Sequence, residues 1–199
     1  MNSKARIAVF ISGGGSNLQS LIDASRAGRL CGDVVLVVSN NDDAYGLQRA
    51  LKAGIDTFVY KVKNYESKED AHADLMAILE NYRVEFIALA GYLKLLPPPV
   101  IKKFRNRITN IHPALLPRYG GKGMYGHHVH EAVMAAGDAE SGATVHLVDE
   151  IYDNGRILEQ KKVPVRPDDT PDSLAARVLE VEHEIYPLAL DKLIRGKYD

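Results

Sequence analysis

A chain of 199 residues, 46% of them hydrophobic, can bury a sizeable core and is most simply one domain, since two would be cramped. Lys and Arg (25) nearly balance Asp and Glu (26), so the chain offers nucleic acid no long-range positive field, and small-molecule partners are expected. Cys31 is alone, which rules out an internal disulfide framework; the N-terminal apolar run, residues 7–11, is too short for a signal peptide's apolar core and no stretch approaches the length of a membrane span, so a cytoplasmic protein with no membrane partner is expected.

Residues 6–11 form a continuous apolar run that stops at Ser12-Gly13-Gly14-Gly15-Ser16-Asn17, after which Leu18, Leu21 and Ile22 recur at helical spacing. This reads as strand, glycine turn, helix. Consecutive glycines let backbone N–H groups approach an anion and the helix dipole adds positive potential, so Gly15, Ser16 and Asn17 are candidates to hold a monophosphate. No Gly-Lys-Ser/Thr follows as in a Walker loop, and Leu18 stands where the dinucleotide fingerprint needs its third glycine. Further strands are expected at residues 33–39, 57–60 and 84–90, with helices at 45–53, closed by Gly54, and at 67–82, opened by Ser67. The alternation implies right-handed crossovers and a Rossmann-like α/β fold, a mostly parallel twisted sheet with helices on both faces. Ligands of such sheets bind beyond the carboxyl ends of the strands. Leu93, Leu95 and Leu96, just after the fourth strand, could wall a flat heteroaromatic ligand, with ordinary packing as the alternative.

A short helix begun by Pro97-Pro98-Pro99 leads to a fifth strand, residues 107–111, and to Asn110-Ile111-His112-Pro113. In an extended segment residues two apart project to one side, and Pro113 holds His112 out of the helical region. A carboxamide and an imidazole converging on one point suit acyl or formyl transfer, because negative charge develops on the carbonyl oxygen under attack. Residues 118–126, rich in glycine, read as a mobile loop over the site. A helix is expected over 127–136. Its His127, His128 and His130 show no recognised metal spacing and no metal is expected. Residues 141–148 read as a strand carrying His146, followed by Asp153-Asn154-Gly155, a tight-turn signal. A carboxylate near His112 would fix its tautomer and move protons, whereas an isolated turn Asp simply bonds its own backbone. A strand returns over 156–163, and Asp172-Ser173 opens a last helix to Leu193 with Leu174, Val178, Val181, Ile185 and Leu188 on its apolar face.

The glycine turn, Asn110-Ile-His-Pro-Ala-Leu-Leu-Pro117, and Ser141-Gly-Ala-Thr-Val-His146 with Asp153 occur in this order in folate-dependent formyltransferases, which the chain resembles from about Arg6 to Leu193. Ser-Gly-x-Gly-Ser-Asn and the later Glu182-His183 are similar to the glycinamide ribonucleotide branch of that family. The resemblance implies transfer of a formyl group from 10-formyltetrahydrofolate to the amine of glycinamide ribonucleotide, a step of purine biosynthesis. It implies a catalytic set of Asn110, His112 and Asp153 with His146 in support, Asn110 and His112 stabilising the oxyanion and Asp153 orienting His112 and helping to move protons. Gly15, Ser16, Asn17 and Glu182 match ribonucleotide-binding positions. Lys68, Leu93, Lys94, Leu95, Leu96, Asn110, Asp149, Glu150, Ile151, Tyr152 and Asp153 match folate-binding ones. Lys68 and Lys94 stand where some relatives carry Arg, so a bidentate hold on the folate carboxylates is replaced by point charges. One domain over 1–199 is expected, with a phosphate-binding half at about 6–100 and a folate and catalytic half at about 101–195, as a monomer or homodimer. The alternatives are a formyltetrahydrofolate hydrolase or another formyltransferase, and a non-catalytic phosphate-binding module.

Overall fold

Ile7, Val9 and Ile11 of the first strand, β1 (Ala5–Ile11), point into one core, and Ala8 and Phe10 into another on the opposite side, all with no solvent exposure. Burial on both faces is why the strand reads as an unbroken apolar run. The computed structural model describes residues 4–198. In chain order β1 is followed by α1 (Ser16–Arg26), β2 (Gly32–Ser39), α2 (Tyr45–Lys52), β3 (Asp56–Val59), α3 (Lys68–Asn81), β4 (Phe86–Leu89) and α4 (Pro98–Lys103). Then come β5 (Ile108–His112), α5 (His127–Ala135), β6 (Glu140–Leu147), β7 (Ile157–Pro164) and α6 (Pro171–Ile194). A single 3-10 turn at Val62–Asn64, which no sequence signal announced, joins β3 to α3.

One seven-stranded sheet runs β3-β2-β1-β4-β5-β6-β7. The strands from β3 to β5 are parallel, whereas β6 runs antiparallel to β5, and β7 to β6. The order reverses at β1, whose neighbours are β2 and β4, and a topological switch of this kind opens a crevice at the carboxyl ends of the two strands. The first core lies under α1, α2, α5 and α6, and the second under α3 and α4. At the mouth of the crevice the Ser12 hydroxyl accepts from the Leu93 N–H at 2.9 Å and donates to Asn40 at 2.6 Å, joining the loops after β1, β2 and β4.

The last helix differs from expectation at two points. Its N-cap is Thr170, whose hydroxyl accepts from the Ser173 N–H while the Ser173 hydroxyl accepts from the Thr170 N–H. Ser173 thus sits at N3 of a capping box, with Pro171 at N1. Leu188 is 45% exposed, because the buried face of α6 is centred on Glu182, Tyr186 and Ala189, and Leu188 falls outside that stripe.

Candidate active site

Ile111 of β5 and Val145 of β6 point into the α1/α6 core, so their neighbours Asn110, His112, Thr144 and His146 point to the other face of the sheet. α3 and α4 cover that face beneath the earlier strands. Above β5 and β6 it is closed by chain segments that follow β5 and β6. The antiparallel register sets Asn110 opposite His146 and His112 opposite Thr144. Thr144 donates to the Ala114 carbonyl at 2.6 Å and accepts from the Leu116 N–H at 3.1 Å and from Gln160 at 2.9 Å, which pins the segment after Pro113 to the sheet.

The four expected side chains converge. His146 Nδ1 lies 2.8 Å from its neighbour's carbonyl, Leu147 O, an atom that only accepts, so Nδ1 carries a proton. In the neutral ring Nε2 is then an acceptor, and the Asn110 Nδ2 stands 3.1 Å from it. His146 thereby decides which end of the Asn110 carboxamide faces the site. The second Asn110 N–H points at Asp153 Oδ1 over 3.4 Å, long for a hydrogen bond. His112 is 3% exposed; its Nε2 donates to the Tyr119 carbonyl at 2.7 Å, and its Nδ1 faces Asp153 Oδ1 at 3.7 Å. Burial lowers the His112 pKa, and the nearby Asp153 carboxylate and the Tyr119 carbonyl offset only part of this. The ring is therefore mostly neutral at pH 7, with the Nδ1 lone pair towards a carboxylate that would stabilise a cation formed there.

Asp153 sits in the loop between β6 and β7 with φ 53°, a left-handed conformation that Asp tolerates better than most residues. Two residues on, a Cβ on Gly155 would stand 1.8 Å from the Leu147 carbonyl oxygen, so the turn that aims Asp153 needs a glycine there. Burial pushes the Asp153 carboxyl up, but His146, His112 and the Gly121 N–H, which donates to Oδ2 at 2.9 Å, together hold it below the usual carboxylate range. It is ionised at neutral pH. Tyr119 and Gly121, both from the 118–126 segment, are contacts that sequence reading did not single out. They act through backbone atoms, which leave no residue-type signal.

The positions expected to bind the ribonucleotide meet elsewhere. Gly15 (φ 71°) is the N-cap of α1 and supplies no side-chain cap, which leaves the first N–H groups of the helix for an anion. The Arg49 guanidinium donates to the Gly14 carbonyl at 2.8 Å, bringing a positive charge to the turn from α2. Asn17 Nδ2 donates to Glu182 Oε2 at 2.6 Å across 165 positions of chain, and both residues are buried. Burial holds the Glu182 carboxyl at about 7 despite the Asn17 bond. Ser16, Gln19, Arg49 and His183 line a cavity of about 360 Å³ on this side, of which only Ser16 was anticipated as a site residue.

Lys68, Lys94, Leu95 and Leu96 line the larger cavity, about 980 Å³, together with Tyr60, Lys61, Lys63, His72, Tyr92 and Pro97. Leu93 is exposed and engages through its backbone. Asp149 bonds the Ile151 N–H and the Asn154 side chain within its own loop, while Glu150, Ile151 and Tyr152 lie on the surface. These four do not line the cavity with Lys68 and Lys94. His127 and His128 lie beside Glu131 on the exposed side of α5; His130 is buried, and burial holds it at about 4. Among the described residues no three His, Cys, Asp or Glu side chains group as a metal site, and no helix is long and apolar enough to cross a membrane.

A profile of the formyl transferase family matches residues 5–190. The chain is 47% identical over 190 residues to the chloroplastic phosphoribosylglycinamide formyltransferase of Vigna unguiculata, covering 96% of this chain and 61% of that one. It is 41% identical to the phosphoribosylglycinamide formyltransferase of Haemophilus influenzae, covering 96% of this chain and 88% of that one. The crystal structure of the Brucella melitensis phosphoribosylglycinamide formyltransferase superposes with a TM-score of 0.88 at 44% identity, over 97% of each chain. The chain thus spans about three fifths of the length of the plant relatives and most of the bacterial one. By the match over residues 5–190 and by these relatives, the chain belongs to the formyl transferase family.

Proposed function

We propose that this chain transfers the formyl group of 10-formyltetrahydrofolate to the primary amine of 5'-phosphoribosylglycinamide, giving the formylated amide and tetrahydrofolate in purine biosynthesis. The observation that carries the reading is the convergence of Asn110, His112 and Asp153 on one sheet face, with all separations at 3.7 Å or less between Asp153 and its two partners. A non-catalytic phosphate-binding module would need the glycine turn but not this arrangement.

The amine nitrogen attacks the formyl carbon, a C–N bond forms, and the carbonyl electrons move onto oxygen. The Asn110 N–H held only over 3.4 Å to Asp153 is the donor for that oxyanion. The Nε2–H of His112 is engaged by Tyr119, which leaves its Nδ1 as the acceptor for the amine's proton, with Asp153 stabilising the imidazolium. The bond to the folate N10 then breaks, and N10 takes a proton back from the same pair. In this reading Gly15, Ser16 and the free N–H groups of α1 hold the ribose phosphate, and Asn17 with Glu182 binds the ribose hydroxyls. The cavity of Lys68, Lys94, Leu95 and Leu96 takes the folate, its ammonium groups meeting the tail carboxylates. The residues at 149–152 close the folate's other side. Residues 1–199 act as one domain in the cytoplasm, as a monomer or homodimer, with no resident metal.

The test is to follow deformylation of 10-formyltetrahydrofolate with and without the ribonucleotide, beside Asp153→Asn. Amine-dependent turnover that falls by about 10²–10⁴ in the variant is expected. Deformylation indifferent to the amine would make the protein a hydrolase, and none in either condition would return it to a binding module.

A further inference from the structure

We propose that Asp138, which touches neither His112 nor Asp153, is a positioning residue for His112 and acts through Tyr119. Asp138 lies between α5 and β6, and its carboxylate grips two consecutive residues of the 118–126 segment: Oδ2 accepts from the Tyr119 hydroxyl at 2.6 Å and Oδ1 from the Arg118 guanidinium at 2.9 Å. That guanidinium also lies 5.2 Å from the Tyr119 ring centre. Both bonds to the carboxylate are charge-assisted, and they hold Asp138 below the usual carboxylate range.

Tyr119 needs such an anchor. Its φ is 56°, a left-handed conformation that a bulky side chain adopts only where its surroundings impose it. In that conformation its carbonyl accepts from His112 Nε2 at 2.7 Å. A carbonyl can only accept, so this one bond selects the neutral tautomer with the proton on Nε2 and leaves the Nδ1 lone pair towards Asp153. Two residues on, the Gly121 N–H donates to Asp153 Oδ2. Gly120 between them has no room for a Cβ, which would lie 2.6 Å from Leu116 Cδ2 and 3.2 Å from Asp153 Cβ. The segment is thus tied at one end to Asp138 and presses at the other on both groups proposed to move the proton. Without Asp138 the backbone of Tyr119 is free to leave the left-handed region, its carbonyl leaves His112, and the ring can place its proton on Nδ1 towards Asp153. No base then faces the reacting amine. The titratable groups around His112 are Asp153 from the β6–β7 loop, His146 from β6 and His130 from α5.

The experiment reads the tautomer directly, by two-bond ¹H–¹⁵N correlation on the whole chain labelled at histidine, with His112 assigned by a His112→Asn variant. The wild type is expected to show the Nε2–H tautomer above the pKa of His112, and Asp138→Ala and Tyr119→Phe a mixture of both tautomers. Asp138→Asn, which keeps an acceptor for the Tyr119 hydroxyl, is expected to restore the wild-type pattern. Where turnover is followed, this arm resting on the formyl transfer proposed above, kcat falls about tenfold in Asp138→Ala with KM nearly unchanged. The double variant Asp138→Ala/Tyr119→Phe is no slower than either single, since both cut one connection. A wild-type His112 spectrum in Tyr119→Phe, whose ring is retained and whose folding is not at stake, overturns the proposal. So do multiplicative losses in the double variant, or a rise in KM at constant kcat. A tautomer shift in a protein that transfers no formyl group would uphold the role of Asp138 while sinking the proposed reaction.

Discussion

Replacing Glu182 with Gln isolates the buried carboxyl beneath α1. Its burial holds it at about 7 in the folded chain, against an ordinary 4.5. Below 4.5 the group is protonated in folded and unfolded chains alike and carries no penalty. As the pH rises through 7 the unfolded chain has already ionised while the folded chain resists, so stability falls and then levels off. At about 1.36 kcal/mol per pH unit between the two states, the full loss is on the order of 3 kcal/mol. Glutamine has nearly the same shape, keeps an oxygen for Asn17 and does not titrate. Urea denaturation should therefore show Glu182→Gln gaining about 2 kcal/mol on the wild type between about pH 5.5 and 8.5. A difference that stays flat across that range would refute the reasoning. Binding supplies an independent check, because in the proposed binding mode ribose hydroxyls donate to Glu182 and so favour its charged form. Calorimetry of the ribonucleotide near neutral pH, in buffers of different ionisation enthalpy, should reveal proton release in the wild type that is absent in the variant.

Three further outcomes are expected. Gly155→Ala forces a Cβ to within 1.8 Å of the Leu147 carbonyl; it should lower stability by about 2 kcal/mol or more in thermal or urea melts and reduce kcat as Asp153 shifts. Burial keeps the His112 pKa below its ordinary 6.5, so with Glu182→Gln removing the other titration near neutral pH, kcat/KM should rise with pH through an acid limb lying below that value and then flatten; activity that instead falls as the pH rises through this range would mean that the cation is the active form. Lys68→Ala and Lys94→Ala should raise KM for the folate with kcat little changed, because both groups are exposed and remote from the bond that breaks, and unchanged KM in both would remove the cavity as the folate site.

What could be read in advance were the features carried by side-chain type and spacing. The apolar runs of β1, β2 and β4 and the glycine turn after β1 gave the parallel half of the sheet, and Asn110 and His112 share a face because strand periodicity demands it. The contact of Asp153 with both came from resemblance, since a lone Asp-Asn-Gly is more often a plain turn. Three things were hidden. The direction of β6 has no local signature, as parallel and antiparallel strands buried on both faces look alike. Tyr119 and Gly121 work through backbone atoms in a segment whose composition suggested only mobility, yet its first half is anchored on Asp138, His112 and Asp153. Arg49 reaches the glycine turn from α2, a tertiary contact between segments with no shared pattern.

The reversal at β6 is what brings the groups proposed to move protons onto one face of the sheet. The switch between β1 and β4 supplies a crevice at the carboxyl ends of these strands, as in any doubly wound sheet. An antiparallel β6 then lays His146 directly against Asn110 and Thr144 against His112, pairing polar side chains where a further crossover helix would demand apolar ones. That face has to be closed by something other than a helix. The segment after His112 and the loop between β6 and β7 close it: the first brings the Tyr119 carbonyl to His112 and the Gly121 N–H to Asp153, and the second brings Asp153 itself to His112. Because both closures are loops, their geometry is set by glycines and by left-handed residues, and the two non-glycine positions with positive φ in these loops, Tyr119 and Asp153, are the ones in contact with His112. Backbone strain at these positions is consistent with a site whose groups must be aimed more accurately than packing alone would require.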